Sequence, residues 1–102
     1  MIPDITKPAH NEEIRTFEWR RPDGSGQLND VATLASTTLV CSEAVSGTDV
    51  SANMIAQVAV YNQTQTRYQL KAGTKNQLYN LEFRCVDSNG QKLADTLTLK
   101  IT

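Results

Sequence analysis

The chain has 102 residues, with ten Lys plus Arg against eleven Asp plus Glu, a formal net charge of -1 and 39% hydrophobic residues. That is the length of one domain, and so even a charge balance sets up no field to hold phosphate backbones or acidic membranes, which makes nucleic acid a poor partner. Apolar runs stop far short of the roughly twenty residues that span a bilayer. The start, Met1-Ile2-Pro3-Asp4-Ile5-Thr6-Lys7, has no signal-peptide core, so the expected product stays in the cytoplasm of the cell that makes it.

The residue types that carry catalysis are scarce. His10 is the single histidine and Cys41 and Cys85 are the two cysteines, too few for a Cys/His zinc site. A Ser-His-Asp or Cys-His arrangement would have to use His10, beside Pro8 in a segment with no sustained period. The carboxylates are scattered among polar neighbours and read as solvated surface. Asp23-Gly24-Ser25-Gly26 lacks the Lys-Ser/Thr of a phosphate loop and reads as a turn. No catalytic residue, metal or cofactor is assigned, and an enzyme is not expected. Cys41 and Cys85 read as two buried, reduced thiols, a disulfide between them being the alternative.

In chain order, residues 1–12 carry Pro3 and Pro8 and read as an extended arm, either mobile or added to a neighbour's sheet edge, with Ile2 and Ile5 as its candidate anchors. The domain proper is expected over 13–102. A strand over 13–20 places Phe17 and Trp19 on one face as core anchors, with Arg15 outward only if the face turns over near Thr16. Residues 30–42, rich in β-branched side chains, make two strands or one bent strand, with Leu34, Leu39 and Cys41 buried. Residues 43–53 read as a loop, with a helical turn over 49–54 capped by Thr48 or Asp49. Another strand covers 55–61, and Asn62-Gln63 marks a turn.

Over 64–71 one parity holds Thr64, Thr66, Tyr68 and Leu70 and the other Gln65, Arg67, Gln69 and Lys71, which predicts a half-buried strand. Tyr79, Leu81, Phe83 and Cys85 alternate with Asn80, Glu82 and Arg84 in the strongest strand of the chain. Asn89-Gly90 predicts a two-residue hairpin into a last strand with Leu93, Leu97, Leu99 and Ile101 inward. Asp95 falls on that inward parity and predicts a bulge or an edge position. Arg67, Lys71, Glu82, Arg84 and Lys100 fall on outward parities. About seven short strands and no long helix predict an all-β fold, an antiparallel sandwich, with a small barrel as the alternative.

Two resemblances refine this. Leu70-Lys71-Ala72-Gly73-Thr74, followed by Tyr79-Asn80-Leu81-Glu82-Phe83, resembles the corner between the fifth and sixth strands of fibronectin type III and other immunoglobulin-like domains. There a Tyr hydroxyl bonds back to upstream backbone; an ordinary core Tyr79 is the alternative. Phe17-Glu18-Trp19, Leu28-Asn29-Asp30-Val31, the run from Gly47 to Ile55, Leu78-Tyr79-Asn80-Leu81, Asp87-Ser88-Asn89-Gly90-Gln91 and Leu97-Thr98-Leu99-Lys100-Ile101 are together similar to small structural proteins of tailed bacteriophages and prophages of the fiber-tail adaptor kind.

That likeness implies an immunoglobulin-like sandwich that works as a non-enzymatic virion protein at a tail, neck or fiber junction, incorporated into the particle after cytoplasmic synthesis. Its partners would be other virion proteins, a second copy of the chain among them, with no nucleic acid and no membrane. The competing reading is a surface-displayed adhesion module that binds carbohydrate or a host receptor through loops 20–27 and 72–77.

Overall fold

In the computed structural model, which describes residues 3–19, 28 and 32–102, seven strands form two sheets. They are β1 (Ile5–Lys7), β2 (Glu13–Glu18), β3 (Leu34–Glu43), β4 (Ile55–Tyr61), β5 (Gln65–Leu70), β6 (Leu78–Asp87) and β7 (Lys92–Ile101), with one four-residue helix, α1 (Ser51–Met54), before β4. One sheet runs β1-β7-β6-β3 and the other β2-β5-β4. Every pairing is antiparallel except β1 with β7, which is parallel. The fold is a β-sandwich.

The inner faces meet through aromatic rings. Phe17 of β2 stacks on Phe83 of β6 with centroids 4.4 Å apart, and Tyr68 of β5 meets the same ring edge-on at 5.1 Å. Trp19 stands edge-on to Phe17 at 4.9 Å. Leu70, Leu81, Phe83, Leu99 and Ile101 are fully enclosed, and each large side chain so buried is worth about 1.5–3 kcal/mol.

The inward parities of β5 and β6 fall as the sequence predicts: Thr66, Tyr68 and Leu70 are buried, as are Tyr79, Leu81, Phe83 and Cys85. Of the two strands or one bent strand expected over residues 30–42, the described residues give one strand, β3, whose register against β6 shifts between Leu34 and Ser36. The seventh strand is instead β1, within the segment expected to be an arm, and it pairs with the chain's own last strand: Ile5 lies opposite Leu99, and Lys7 opposite Ile101. Asp4 extends the contact, its amide donating to the Thr98 carbonyl at 2.9 Å and its Oδ2 accepting from the Thr98 amide at 2.8 Å.

Arg15 keeps the same parity as Phe17, so the face does not turn over at Thr16. Its guanidinium donates to the Thr6 carbonyl and pairs with Glu13, which ties β2 to β1, the edge strands of the two sheets. Lys7 is fully buried, a rare fate for a charged side chain. Its Nζ donates to the carbonyls of Pro8 at 2.8 Å and Asn11 at 2.6 Å. Desolvation lowers its pKa, partly opposed by the nearby Glu13 carboxylate.

Of the bulge or edge position expected at Asp95, the described strands give the edge: the ladder between β6 and β7 runs unbroken from Val86–Lys92 to Leu78–Lys100, while β1 pairs with β7 only from Leu99 to Ile101. Asp95 is half-buried there and accepts the Thr96 amide on Oδ1. One turn differs from expectation. The β6–β7 connection holds residues 88–91 rather than two. Asp87 organises it, Oδ1 accepting the Asn89 and Gln91 amides at 2.9 and 2.8 Å. Besides the shift in β3, the outer strand β4 is irregular, its register shifting between Ala56 and Ala59 and Gln57 having φ +54°. A bulge there twists a sheet edge away from further pairing.

Cys41 and Cys85 are both buried and free. They lie on neighbouring strands, but Cys85 is opposite Thr37 and Cys41 opposite Leu81. Four positions of offset at about 3.3 Å per residue exceed the roughly 7 Å limit for a bridge, so the disulfide alternative is excluded. Burial pushes the Cys41 thiol up to about 12, helped by the Asp49 carboxylate, and the Cys85 thiol up to about 11, helped by Asp87. Neither thiol should react with a disulfide reagent at neutral pH until the chain unfolds. The ordinary thiol value is 9.0. Raised folded-state values mean that the unfolded chain loses its thiol protons first, so this contribution to stability is complete below pH 9 and is lost as pH rises through about 11 and 12. Denaturant midpoints measured against pH, compared with a Cys41→Ala/Cys85→Ala variant, isolate the effect.

Candidate functional site

Concave places among the described residues include three lined by polar side chains. The first is a hollow of about 290 Å³ on the outer face of the four-stranded sheet. The ladder explains it. Ser36, Val86 and Lys92 form one row across β3, β6 and β7, and Thr38, Arg84 and Ala94 form the next. Arg84 and Lys92 wall a floor of small and branched side chains. Arg84 is engaged by Glu82 two residues before it, on the same face of β6. The second is an open trough beside His10, Asn11, Glu12 and Lys71. His10 is exposed there, with no Ser or Cys among the residues that line the trough.

The third is a cleft of about 370 Å³ at the end of the sandwich, and it gathers the most varied chemistry. Glu43 comes from the last position of β3, opposite Tyr79 at the start of β6. Val50, Asn53 and Met54 come from α1 and the residue before it, and Thr74 from the β5–β6 connection. Three local features place them. The amide of Glu43 donates to the Thr48 carbonyl at 2.9 Å, and Ser42 bridges Asp49, so the 44–48 loop folds back on the strand. Ser51 fastens α1 to β3, its Oγ accepting the Cys41 amide at 2.8 Å. Met54 is buried beneath the cleft.

The helix cap differs in detail from the sequence reading. The capping position is Val50, which has no side-chain oxygen. Asp49 acts from one residue earlier, Oδ1 accepting the Ser51 amide at 2.8 Å, and that bond holds its carboxyl below the usual carboxylate range.

Tyr79 is 5% exposed, and its hydroxyl accepts the Thr74 amide at 3.0 Å. This bond closes the connection from β5 to β6 from within. The far side of the connection is zipped to β7, the Asn76 amide donating to the Ile101 carbonyl at 2.7 Å and the Ile101 amide to the Gln77 carbonyl at 3.1 Å. Gly73, at φ +128°, lets the backbone pass directly over Ile101.

The residues singled out from sequence are dispersed. Trp19, Cys41 and Cys85 are enclosed in the core, and Tyr79 sits between core and cleft. Ile5 packs against the core of its own chain. Ile2 and loop 20–27 lie outside the described residues. The loop over 72–77 does contribute, through Ala72, Gly73 and Thr74. Glu43 and Asn53 escaped the sequence reading because a loop of mixed polar residues gives no sign of which side chains converge. Among the described residues no three His, Cys, Asp or Glu side chains gather as a metal site requires, and no helix is long and apolar enough to cross a membrane. No protein family, curated protein or solved structure matches this chain.

Proposed function

We propose that the chain is a non-enzymatic structural protein of a tailed bacteriophage or prophage particle, an immunoglobulin-like module at a tail, neck or fiber junction that acts through protein-protein assembly. The observation that carries this reading is the strand order. With β2 to β7 taken as the second to seventh strands of an immunoglobulin constant-type sandwich, the pattern calls for second, fifth and fourth strands in one sheet and third, sixth and seventh in the other. The sheets here are β2-β5-β4 and β3-β6-β7, with β1 added beside β7. The bond from the Thr74 amide to the Tyr79 hydroxyl lies at the corner where such domains carry a tyrosine of this kind. The phage-like run of short motifs supplies the rest of the argument.

Particles released from the strain that encodes the chain test it. Mass spectrometry should find the protein in purified particles at a fixed ratio to the tail proteins. Its absence from particles, together with a monomeric mass in solution and no association with any tail protein, overturns the reading.

One observation favours the adhesion reading as a second choice: the 72–77 connection opens onto a cleft of ligand size. Saturable binding on a glycan array, abolished by changes at Thr74 and Asn53, supports that choice, and a blank array removes it.

A further inference from the structure

The cleft beside Tyr79 has a charge that no described residue neutralises. Glu43 lines it, and one carboxylate oxygen accepts a hydrogen bond from Ser46 at 2.9 Å. Among the described residues the ion pairs are Arg15 with Glu13 and Arg84 with Glu82, so no cation pairs with Glu43. No Lys or Arg lines the cleft, and Asp49, on the segment bridged to Ser42, adds negative charge at the same end. The remaining surface divides in two. Val50 and Met54 give an apolar floor, and Asn53 and Thr74 give polar rims.

A carboxylate set beside an apolar floor matches a cation carried on an aliphatic stem, because the stem removes apolar surface from water while the head makes a charge-assisted hydrogen bond. An anionic ligand is repelled. A neutral polyol finds hydrogen bonds here but leaves the charge unmatched. The volume, about 370 Å³, suits one long side chain rather than a folded segment.

We infer that the cleft is a docking socket for a lysine side chain of a partner protein, with its methylenes along Val50 and Met54 and its ammonium on Glu43 and the Asn53 amide oxygen. This rests on the assembly reading only in taking the partner to be a protein, and the socket's chemistry is tested on the isolated chain.

The experiment titrates the full chain with N-acetyl-lysine methylamide and follows amide and Met54 methyl signals by NMR, with N-acetyl-norleucine methylamide and methyl α-glucoside as controls. The expected result is a weak, saturable shift confined to Glu43, Asn53, Met54, Thr74 and Tyr79, weakened by added salt. Glu43→Gln keeps an oxygen for Ser46 and removes the charge, and it should weaken binding about tenfold. Asn53→Ala, also in the lining of the cleft, provides a second variant if the first disturbs the fold. Equal shifts with the norleucine compound, saturation by the glucoside alone, unchanged binding in Glu43→Gln, or no saturable shift at these residues each overturns the proposal. A lysine-selective socket in a chain missing from particles leaves this inference standing and removes the virion reading.

Discussion

Replacing Gly73 by Ala should lower the stability of the domain by about 2–5 kcal/mol, a large part of the 5–15 kcal/mol that holds a domain of this size together. Two separate costs add. At φ +128° a side chain sits in backbone territory that glycine alone occupies freely. A Cβ built there also lies 2.6 Å from both Cδ1 and Cγ1 of Ile101 and 3.3 Å from the Met54 methyl. Ile101 is fully buried at the end of β7 and its backbone is bonded to the same connection on both sides, so it has little room to yield. The costs separate in a double mutant. In an Ile101→Ala background the steric part disappears and only the backbone part, about 1–2 kcal/mol, should remain. Urea unfolding of the four proteins measures this, and a Gly73→Ala penalty equal in both backgrounds would show that the close approach to Ile101 contributes nothing. The socket should suffer with the fold, since Met54 and Thr74 flank the same glycine.

Why Gly73 and Tyr79 were legible in sequence while Glu43 was not follows from what each signal encodes. A Gly-Thr before a strand that opens with Tyr reports local backbone geometry, and the chain obeys it over a handful of residues. Parity reports a face, and β5 and β6 turned the predicted faces inward. Neither signal names a distant partner. The parallel pairing of β1 with β7 joins the two ends of the chain, and three residues between prolines carry no period that would announce it. Lys7 is harder still: composition assigns a lysine to solvent, and only the carbonyls of Pro8 and Asn11, turned back on it by the same short connection, make its burial tolerable. Asp95 was legible in part. An acid on the inward parity signals a bulge or an edge, and among the described strands it is the edge: the ladder to β6 continues while β1 pairs with β7 only from Leu99 to Ile101, so that part of the face is half-covered. Thr66 did leave a trace. It shared an inward parity with Tyr68 and Leu70, and a buried hydroxyl implies a buried partner.

That partner sets up the second large effect, expected for Thr66→Val at about 2–3 kcal/mol. Thr66 is fully buried in β5, and its hydroxyl accepts from Trp19 Nε1 at 2.9 Å. It also lies 2.6 Å from the hydroxyl of Thr37 in β3, which donates to the Arg84 carbonyl in β6 at 3.2 Å. With the Thr37 proton committed to that carbonyl, Thr66 must donate to Thr37, so the hydrogen bonds run in one direction from the three-stranded sheet to the four-stranded one. Valine keeps the shape of threonine and removes its oxygen. The indole N–H, on a side chain 1% exposed, is then left without an acceptor in a space too enclosed for water to replace it. Thr66→Ser keeps the oxygen and should cost about 1 kcal/mol, the loss of a packed methyl. The decisive comparison is Trp19→Phe with Thr66→Val. If the orphaned donor is the cause, the double mutant should be more stable than the two single penalties imply by 1 kcal/mol or more, roughly the worth of one satisfied buried bond. Strict additivity in denaturant unfolding would mean that the two sheets are held in register by their stacked rings, with the hydroxyl chain a consequence of that packing rather than a contributor to it.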